Sequence, residues 1–403
     1  MMMKINLRAL CLPLCALLCL TACKKDKQLG SKEVALTLRL ENPQGLAAVS
    51  LSGVKITFRE INSGKETVSS NVSGNTLSVS LAEGAYDISL DGNISYQLEG
   101  KTITGKTGAL KQGLVLTGAQ HTESLKLFLG QAGGGFVIQE IFFTGTLSPE
   151  GKQYLGDKYF KIYNNSGETL YADGLVIAQS AFQTATKEKY TPDVMSSAVA
   201  VESVIMIPGS GKQYPVLPGK YIVVSEDAIN HKTNNANSID LSKADFEFFY
   251  EDSDDIDNPQ VPNMETVYSK FNPNNRGYNS YVLARFEKGV NDFLSNYKYD
   301  FSYDFVNDGV SFPVESNEYK IPNSWILDAV NLSVQSEFQW IVTDPALDMG
   351  WTFCAKVSDD AARYGKSVRR RVLAIAVDGR EILKDTNNST NDFEAGLRPS
   401  LMK

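Results

Sequence analysis

The stretch EVALTLRL, residues 33–40, carries an apolar side chain at every second position. Val34, Leu36, Leu38 and Leu40 project to one side of an extended chain, and mostly polar residues project to the other. A period of two predicts a β-strand with one face buried and one face in water.

Further strands of this kind follow, and turn residues such as Asn62-Ser63-Gly64 and Asp91-Gly92-Asn93 separate them. Their apolar positions are Val54, Ile56 and Phe58; Leu77, Val79 and Leu81; Tyr86, Ile88 and Leu90; and Leu125, Leu127 and Leu129. Short alternating strands at this spacing predict an antiparallel β-sandwich over residues 33–130. The fold class we predict is all-β.

Three consecutive glycines, Gly133 to Gly135, interrupt this pattern. Glycine loses more backbone entropy on ordering than other residues, so such a run disfavours a strand. We therefore predict a linker at residues 131–135 and a second domain over residues 136–403.

The segment EGAYDISLDG, residues 83–92, resembles the strand and turn of transthyretin-like and carboxypeptidase-regulatory-like sandwiches of exported bacterial proteins. That resemblance implies a β-sandwich for the first domain and no activity.

Blocks of the second domain resemble the lamin-tail domain, an immunoglobulin-like β-sandwich, and they occur in its order. The matching residues are Ile138, Glu140 and Ile141; Tyr159, Phe160, Ile162, Tyr163 and Asn164; Tyr171, Asp173, Gly174 and Leu175; Pro218, Gly219 and Tyr221; Asp328 and Val330; and Gly365, Ser367, Val368 and Arg370. A lamin-tail domain is much shorter, so the resemblance implies insertions at about residues 178–217 and 228–324. The whole chain also resembles a family of uncharacterised lipoproteins of Bacteroides-type bacteria of about this length.

The N-terminal residues have the layout of a secretory signal. Lys4 and Arg8 form a basic region, the apolar segment ALCLPLCALLCL follows, and LTAC ends at Cys23. The apolar segment is too short for a membrane span of about 20 residues. LTAC resembles a bacterial lipobox, which implies a signal peptide at residues 1–22, fatty-acyl chains such as palmitate on Cys23, and a tether at residues 23–32.

Charge and cysteine content exclude several classes of protein. Without Lys4 and Arg8 the 39 basic residues become 37, against 47 acidic residues, a net charge of −10. This balance argues against a nucleic-acid partner and against a polybasic membrane surface. Beyond Cys23 the only cysteine is Cys354, which we predict to be a buried strand residue, so no intramolecular disulfide is expected.

An acidic stretch, YEDSDDIDNPQVPN, offers a candidate for a metal site. Asp252, Asp254, Asp255 and Asp257 carry oxygen ligands of the kind that Ca²⁺ prefers. The spacing does not match an EF-hand loop, which needs glycine at position six and glutamate at position twelve. A solvated acidic loop and a calcium site both stay open, and no other cofactor is predicted.

Catalytic motifs are lacking in the sequence. The two histidines, His121 and His231, lie in different predicted domains, and neither accompanies a nucleophile motif. His231 with Asp227 is half of an acid/base pair at most. We predict that the protein is not an enzyme, with a glycan hydrolase using carboxylates of the second insertion as an alternative.

Aromatic residues alternate in NYKYDFSYDF, residues 296–305, so that Tyr297, Tyr299, Phe301, Tyr303 and Phe305 share one face of a strand. The nearby run FNPNNRGYNSY adds Tyr278 and Tyr281. Tyrosine gives contact area at low entropic cost, so Tyr278, Tyr281, Tyr297, Tyr299 and Tyr303 are candidate ligand-binding residues. The alternative is that this face is half of a hydrophobic core.

A polar run near the C-terminus, KDTNNSTNDF at residues 384–393, is typical of tight turns. Asp, Asn and Ser side chains hydrogen-bond to their own backbone there, and Phe393 is predicted to enter the core. A calcium site and a ligand contact are the alternatives.

These features predict a lipid-anchored binding protein of the cell envelope. By analogy with lipoproteins of this bacterial group, it assists an outer-membrane TonB-dependent transporter, a β-barrel partner. The alternative is an adhesin or structural scaffold. Lys24 follows the lipidated cysteine, which favours the outer membrane, while the periplasmic face and the cell surface both stay open.

Overall fold

The structure is a computed structural model. It describes residues 32–402 apart from 44, 45, 47, 99, 100, 131–134, 252–254, 308 and 377. The predicted signal peptide, the lipidation site Cys23 and nearly all of the tether and glycine linker lie outside the described residues. Within the described part, no helix has both the length and the apolar character needed to cross a membrane.

The described residues of the first domain form eight strands. They are β1 (Glu33–Glu41), β2 (Val49–Glu60), β3 (Glu66–Ser69), β4 (Thr76–Ala82), β5 (Gly84–Leu98), β6 (Lys101–Leu116), β7 (Gln120–Lys126) and β8 (Phe128–Gly130). One sheet has the order β4-β1-β7 and the other the order β3-β2-β5-β6-β8. The pair β1–β7 is parallel and the others are antiparallel, so the antiparallel prediction is wrong for that pair.

The predicted alternation sets the register of the first sheet. Val34 lies opposite Leu81, and Leu38 lies opposite Leu77, so the apolar faces of β1 and β4 coincide. Leu36 and Leu38 are completely buried. Burial of each such side chain contributes about 1.5–3 kcal/mol, which fixes β1 with its apolar face inward.

The second domain contains nineteen strands in the described residues. They are β9 (Phe136–Phe142), β10 (Thr146–Leu147), β11 (Gln153–Tyr154), β12 (Tyr159–Asn164), β13 (Leu170–Tyr171), β14 (Val176–Gln183), β15 (Ala198–Met206), β16 (Pro215–Val216), β17 (Tyr221–Ser225), β18 (Phe246–Glu247), β19 (Glu265–Tyr268), β20 (Asn279–Ala284), β21 (Lys298–Asn307), β22 (Val310–Pro322), β23 (Ile326–Val330), β24 (Ser367–Arg370), β25 (Val372–Ile375), β26 (Glu381–Leu383) and β27 (Phe393–Leu397). The helices are α1 (Val290–Asn296), α2 (Ser389–Asp392) and short 3-10 turns at His231–Thr233, Asn323–Trp325 and Ala361–Arg363.

Two sheets form the second sandwich. Sheet I has the order β18-β17-β12-β9-β24-β27, and sheet II has the order β21-β22-β15-β14-β20-β23 with β19 also paired to β15. Small two-stranded ladders join β10 to β11, β13 to β16 and β25 to β26. The predicted all-β fold class is confirmed. The segments expected to be insertions, 178–217 and 228–324, supply β15 and β20 to the middle of sheet II.

The main core lies between these two sheets. Ile138 and Phe160 project into it from sheet I, and Ile177, Ile205 and Leu283 project from sheet II. Sheet II is covered on its other face as well, where α1 packs over β14, β15 and β20. Both faces are covered, so nearly every residue of β14 and every residue of β20 is buried, and neither strand shows an alternating pattern.

The C-terminal run KDTNNSTNDF forms turns and a short helix, as the predicted turn chemistry requires. Asn388 caps α2 by accepting a hydrogen bond from the backbone N–H of Asn391. The Asp392 carboxylate accepts from the backbone N–H of Thr386 at 2.7 Å and from its hydroxyl at 2.8 Å. Phe393 is buried in the main core. These side chains therefore build the fold.

A buried arginine ties this run to the sandwich. Arg370 on β24 donates two hydrogen bonds to Asp328, at 2.8 and 2.7 Å, and one to Asp385 at 3.1 Å. Its Nε donates to the carbonyl oxygen of Ile138 at 2.9 Å. The planar guanidinium satisfies several acceptors at once, which a lysine could not do.

Candidate binding site

Of the predicted aromatic face of residues 297–305, Tyr299 to Phe305 lie on β21 and divide between core and surface, whereas Tyr297 caps the C-terminus of α1, which corrects its place on that face. Tyr297 packs against Trp325 beside α1. Tyr299 is almost fully buried, and its hydroxyl donates to the carbonyl oxygen of Pro192 at 2.6 Å. Phe305, at the far end of the strand, is 47% exposed. The two alternatives left open by the sequence therefore apply to different ends of one strand.

The two tyrosines of the preceding loop lie elsewhere. Tyr278 is half-buried, and its hydroxyl donates to Glu337 at 2.7 Å and lies 2.7 Å from the Ser358 hydroxyl. Tyr281 is completely buried in the main core, where its ring contacts Phe160. The side chain of Tyr281 is therefore a core element, which corrects its prediction as a binding residue.

Three aromatic residues from distant segments join this strand. Phe182 and Tyr190 stack with ring centroids 3.6 Å apart, and Tyr190 and Trp340 stack at 6.0 Å. Phe301 meets the edge of Phe182 at 5.2 Å. The Trp340 Nε1–H donates to the carbonyl oxygens of Gln183 and Thr186, which fixes the indole. The result is a rigid cluster of stacked rings.

This cluster lines a cavity of about 700 Å³. Phe182, Tyr190 and Trp340 supply rings, and Lys187 and Asp193 supply charged groups. A mostly apolar cleft of this size with a few polar groups is the usual form of a ligand site. The geometry thus points to binding at this position.

Two smaller cavities, of about 260 and 570 Å³, continue along the boundary between the domains. Gln112 of the first domain lines all three cavities, so they are contiguous. We call the three together the interdomain groove. Its second-domain wall carries the rings of Phe182, Tyr190, Phe338, Trp340, Trp351 and Phe353. Its first-domain wall carries Lys55, Thr57, Arg59, Asp87, Ser89, Asp91 and Gln112.

The aromatic wall continues at Trp351. Its ring stacks on Phe338 with centroids 4.4 Å apart and planes at 11°, and it contacts Phe353 at 5.5 Å. All three residues are half-buried. Part of each side chain is therefore accessible while the neighbouring rings hold it in place.

The polar wall is a regular surface of cross-strand pairs. Lys55 lies opposite Asp91 and Arg59 lies opposite Asp87, because β2 and β5 are antiparallel neighbours. Successive side chains of a strand point to opposite faces, so these residues turn outward while Ile56 turns into the core. Charged pairs of alternating sign thus face a row of flat rings.

Burial raises the pKa of Tyr190 to about 12, and the Tyr303 and Glu188 side chains contribute to this rise. The hydroxyl therefore stays protonated at neutral pH and can donate a hydrogen bond. Tyr190 consequently offers both a ring and a polar donor, as tyrosines in binding sites do.

The acidic loop predicted as a calcium site is described only in part. Asp252 and Asp254 lie outside the described residues. Asp257 accepts from the Asn263 side chain at 3.0 Å, and Asp255 accepts from the backbone N–H of Tyr250 at 3.2 Å. In the described part of the chain, no group of three or more His, Cys, Asp or Glu side chains is arranged to hold a metal ion. The calcium site stays a prediction.

The structure places His231 and Asp227 in a buried hydrogen-bond network. The His231 Nε2 lies 2.9 Å from the Asp227 carbonyl oxygen rather than from its carboxylate, and Nδ1 lies 2.7 Å from the Tyr154 hydroxyl. Burial lowers the pKa of His231. Both ring nitrogens are occupied by structural partners, so the arrangement lacks the geometry of an acid/base pair.

Cys354 packs against the main core, and burial raises the pKa of its thiol. A raised pKa makes a thiol a poor nucleophile. His121 lies on β7 of the first domain, far along the chain from Cys354 and from His231.

Sequence reasoning missed the residues that shape the groove. Trp340, Trp351 and Phe338 lie in an irregular segment between β23 and β24, where no periodic pattern reveals their role. The available signal was that two of the three tryptophans fall within twelve residues of each other. Large aromatic residues gathered in a loop segment are a general mark of a binding surface.

Fold and groove together define an all-β protein of two sandwiches with an aromatic cleft between them. A family model described as "Protein of unknown function (DUF4876)" matches residues 217–400. A solved DUF4876 family protein from Bacteroides thetaiotaomicron has 23% sequence identity and a TM-score of 0.55, over 91% of this chain and 96% of that chain. This likeness supports the fold, and it fits the predicted resemblance to an uncharacterised Bacteroides-type family.

A solved DUF3823 family protein from Parabacteroides merdae has 12% identity over 72% of this chain and 99% of that chain. Its TM-score of 0.16 is too low to bear on the fold. No curated protein matches the chain.

Proposed function

We propose that this chain is a lipid-anchored binding protein of the cell envelope that holds an elongated ligand in the interdomain groove. The observation that carries the proposal is the opposition of a row of stacked aromatic rings to a wall of charged and hydroxyl side chains. A ligand that fits has apolar faces for the rings and polar edges for the opposite wall. An oligosaccharide has this chemistry.

The ligand is held without chemical change. The Trp351, Phe338 and Phe353 rings offer stacking, and the polar wall offers hydrogen bonds. Incubation with oligosaccharides should therefore release no product detectable by mass spectrometry. A product whose formation depends on a carboxylate of residues 228–324 would favour the hydrolase alternative.

Tryptophan fluorescence gives a direct binding assay because two of the three tryptophans line the groove. Trp325 lies in a separate core beside α1. In Trp325→Phe both remaining indoles are in the groove, and we expect a fluorescence change on titration with an oligosaccharide panel. The Trp340→Phe/Trp351→Phe variant keeps only Trp325 and should show none.

Calorimetry then measures what the aromatic wall contributes. A central aromatic contact typically contributes more than about 1 kcal/mol, so Trp351→Ala should weaken binding by at least about fivefold. Trp325→Phe is the matched control and should bind like the wild type. If oligosaccharides fail to bind while extended peptides do, the ligand class is wrong. If nothing in either panel binds, the groove is not a ligand site.

The membrane anchor rests on the sequence LTAC and on the basic and apolar residues before it. Metabolic labelling with an alkyne fatty acid should mark the wild type and should fail in Cys23→Ser. Cys19→Ser, which changes a cysteine of the apolar segment, should keep the label. Labelling of Cys23→Ser would refute the anchor at this residue.

The proposed transporter partner is supported by an exposed apolar hairpin. Phe305 and Val306 on β21 and Val310 and Phe312 on β22 are all about half exposed or more. Phe305 and Phe312 form a cross-strand pair at the far end of this long hairpin. Apolar patches of this kind on a soluble domain are typical of protein contacts.

An affinity pull-down from detergent-solubilised outer membrane tests this partner. We expect a stoichiometric β-barrel protein with the wild type and its loss with Phe305→Ser/Phe312→Ser. Leu373→Ser on the exposed β25–β26 hairpin is the control. Recovery of the bait alone would favour the adhesin or scaffold.

A further inference from the structure

A cavity of about 460 Å³ at one end of the second sandwich shares no lining residue with the interdomain groove. Gln179, Glu202 and Asn279 line it from sheet II, and Lys158, which precedes β12, lines it from sheet I. The loop 272–276 completes the lining. Seven of the twelve lining residues are Asn or Gln, so the cavity is polar in a domain with an apolar core.

A β-bulge places Glu202 in this cavity. Gln179 pairs with Ser203 and Ser180 pairs with Val201, which leaves Glu202 without a partner on β14. On the other edge of β15, the pairing with β22 ends at Val201 and the pairing with β19 begins at Val204. An extra residue of this kind redirects a side chain, and bulges are enriched beside functional sites.

The Glu202 carboxylate is held by one oxygen only. The side-chain amides of Gln179 and Asn279 both donate to Oε1, the latter at 3.1 Å. Within the described residues, Oε2 receives no hydrogen bond. Gln179 is 5% exposed, and its Oε1 is buried with no hydrogen-bond partner in the described part of the chain. Both oxygens are acceptors; Gln179 Oε1 is buried as well, and leaving a buried acceptor unfilled disfavours folding.

The two cations of the cavity are already engaged. The Lys158 Nζ lies 3.0 Å from Glu226, 3.1 Å from the Asn272 side-chain oxygen and 3.3 Å from the Pro273 carbonyl oxygen. The contact with Glu226 is an ion pair, and the other two are hydrogen bonds. Arg276 donates to the Ser358 carbonyl oxygen and lies 3.7 Å from Asp359. Neither cation therefore neutralises Glu202.

The electrostatic surroundings of Glu202 favour an incoming positive charge. Burial raises the pKa of Glu202, and the neighbouring Glu318 carboxylate adds to the rise. A cation beside Glu202 would offset both effects because it stabilises the ionised form. A metal ion fits less well, since the described residues contain no group of three metal-binding side chains here.

We propose that this cavity binds a small organic cation through a primary ammonium group. Glu202 Oε2 accepts a charge-assisted hydrogen bond from the ammonium, and Gln179 Oε1 accepts a second. The remaining amide side chains of the cavity accommodate the polar part of the ligand. This site is independent of the interdomain groove and of the ligand proposed there.

Calorimetric titration of the purified full chain with putrescine tests the proposal, with butanediol as a neutral probe of matching length. We expect binding of putrescine and none of butanediol. Glu202→Gln should weaken putrescine binding by about tenfold or more, because charge-assisted hydrogen bonds are the stronger class. Glutamine keeps an acceptor oxygen for the Gln179 and Asn279 amides, so this variant should fold.

Glu315→Gln, on the exposed part of β22, is the matched control and should bind like the wild type. Gln179→Met, which removes the second acceptor, should also weaken binding and serves as the second variant. Equal binding of butanediol, equal binding by Glu202→Gln and Gln179→Met, or no binding of putrescine would each overturn the proposal.

Discussion

Replacing Arg370 by methionine should destabilise the second domain more than any nearby surface change. The Arg370 guanidinium is buried and reaches the Asp328 carboxylate, the Asp385 carboxylate and the Ile138 carbonyl oxygen. Methionine fills much of the same volume but donates no hydrogen bond. The change leaves the Asp328 carboxylate buried without its cation, while Asp392 keeps Lys384 at 3.8 Å.

Removing one member of a buried ion pair lowers the free energy of unfolding by roughly 3–5 kcal/mol, because the remaining charge is left uncompensated in a medium of low dielectric constant. With a urea m-value of about 2–3 kcal/mol/M, this corresponds to a midpoint lowered by roughly 1–2.5 M. Arg370→Lys keeps the charge but loses the fork of donors, so its loss should be smaller.

Arg371 provides a matched control one residue away. It pairs with Glu394 at 2.9 Å, and both side chains are 45% exposed. An exposed pair contributes about 0–1 kcal/mol, so Arg371→Met should shift the midpoint little.

Tryptophan fluorescence is the suitable probe for these titrations, because Trp325, Trp340 and Trp351 all belong to the second domain. In the Trp340→Phe/Trp351→Phe background the signal comes from Trp325, away from the interdomain groove, so it follows that domain even if the first sandwich unfolds separately. Equal midpoints for Arg370→Met and Arg371→Met would refute the view that the buried arginine holds the C-terminal run in place.

Three further changes test other parts of the fold with the same titration. Burial raises the pKa of Asp157 to about 6 from 3.8, so the folded state keeps a proton that the unfolded state releases between these values. The contribution of Asp157 to the free energy of unfolding therefore falls as pH rises through that window, by up to about 1.4 kcal/mol per pH unit. Asp157→Asn should remove this contribution to the slope of stability against pH. Equal slopes for the wild type and the variant would contradict it. Gly350→Ala would place a Cβ 2.6 Å from the Thr390 backbone nitrogen and should lower the urea midpoint, whereas Gly167→Ala meets nothing closer than 3.7 Å and should not. Tyr299→Phe removes the hydrogen bond to Pro192 and should cost about 1 kcal/mol; an unchanged midpoint would show that the bond adds nothing.

The sequence predicted those strands that have one buried face and one exposed face. On β1 the polar positions meet water, so the alternation of Val34, Leu36 and Leu38 is visible in the residues themselves. The same logic fails for β15, AVAVESVIM, because sheet II is covered on both faces and nearly every position is buried. Such a strand carries no alternation, so its residues do not reveal it; the insertion expected at residues 178–217 follows only from the shorter length of a lamin-tail domain.

Contacts between elements that are distant in the chain could not be predicted from the sequence either. β1 pairs in parallel with β7, although the two strands lie far apart in the chain and no local pattern marks their register. The groove has the same origin, since Arg59 and Trp351 come from different domains. A periodic pattern describes one element at a time, whereas a site between domains depends on how two of them meet.

Buried polar groups in the second domain divide into two kinds, and the difference separates fold from function. The Arg370 network and Asp348 have their hydrogen bonds filled by protein groups; Asp348, for example, accepts from Ser389 and Asn331. Filled networks of this kind fix a unique structure. In the cavity, Gln179 instead keeps a buried acceptor oxygen unfilled, and Glu202 beside it keeps one carboxylate oxygen without a donor among the described residues. In natural proteins, polar groups left unsatisfied by the fold occur mainly at functional sites. A ligand is therefore expected at this unfilled pair.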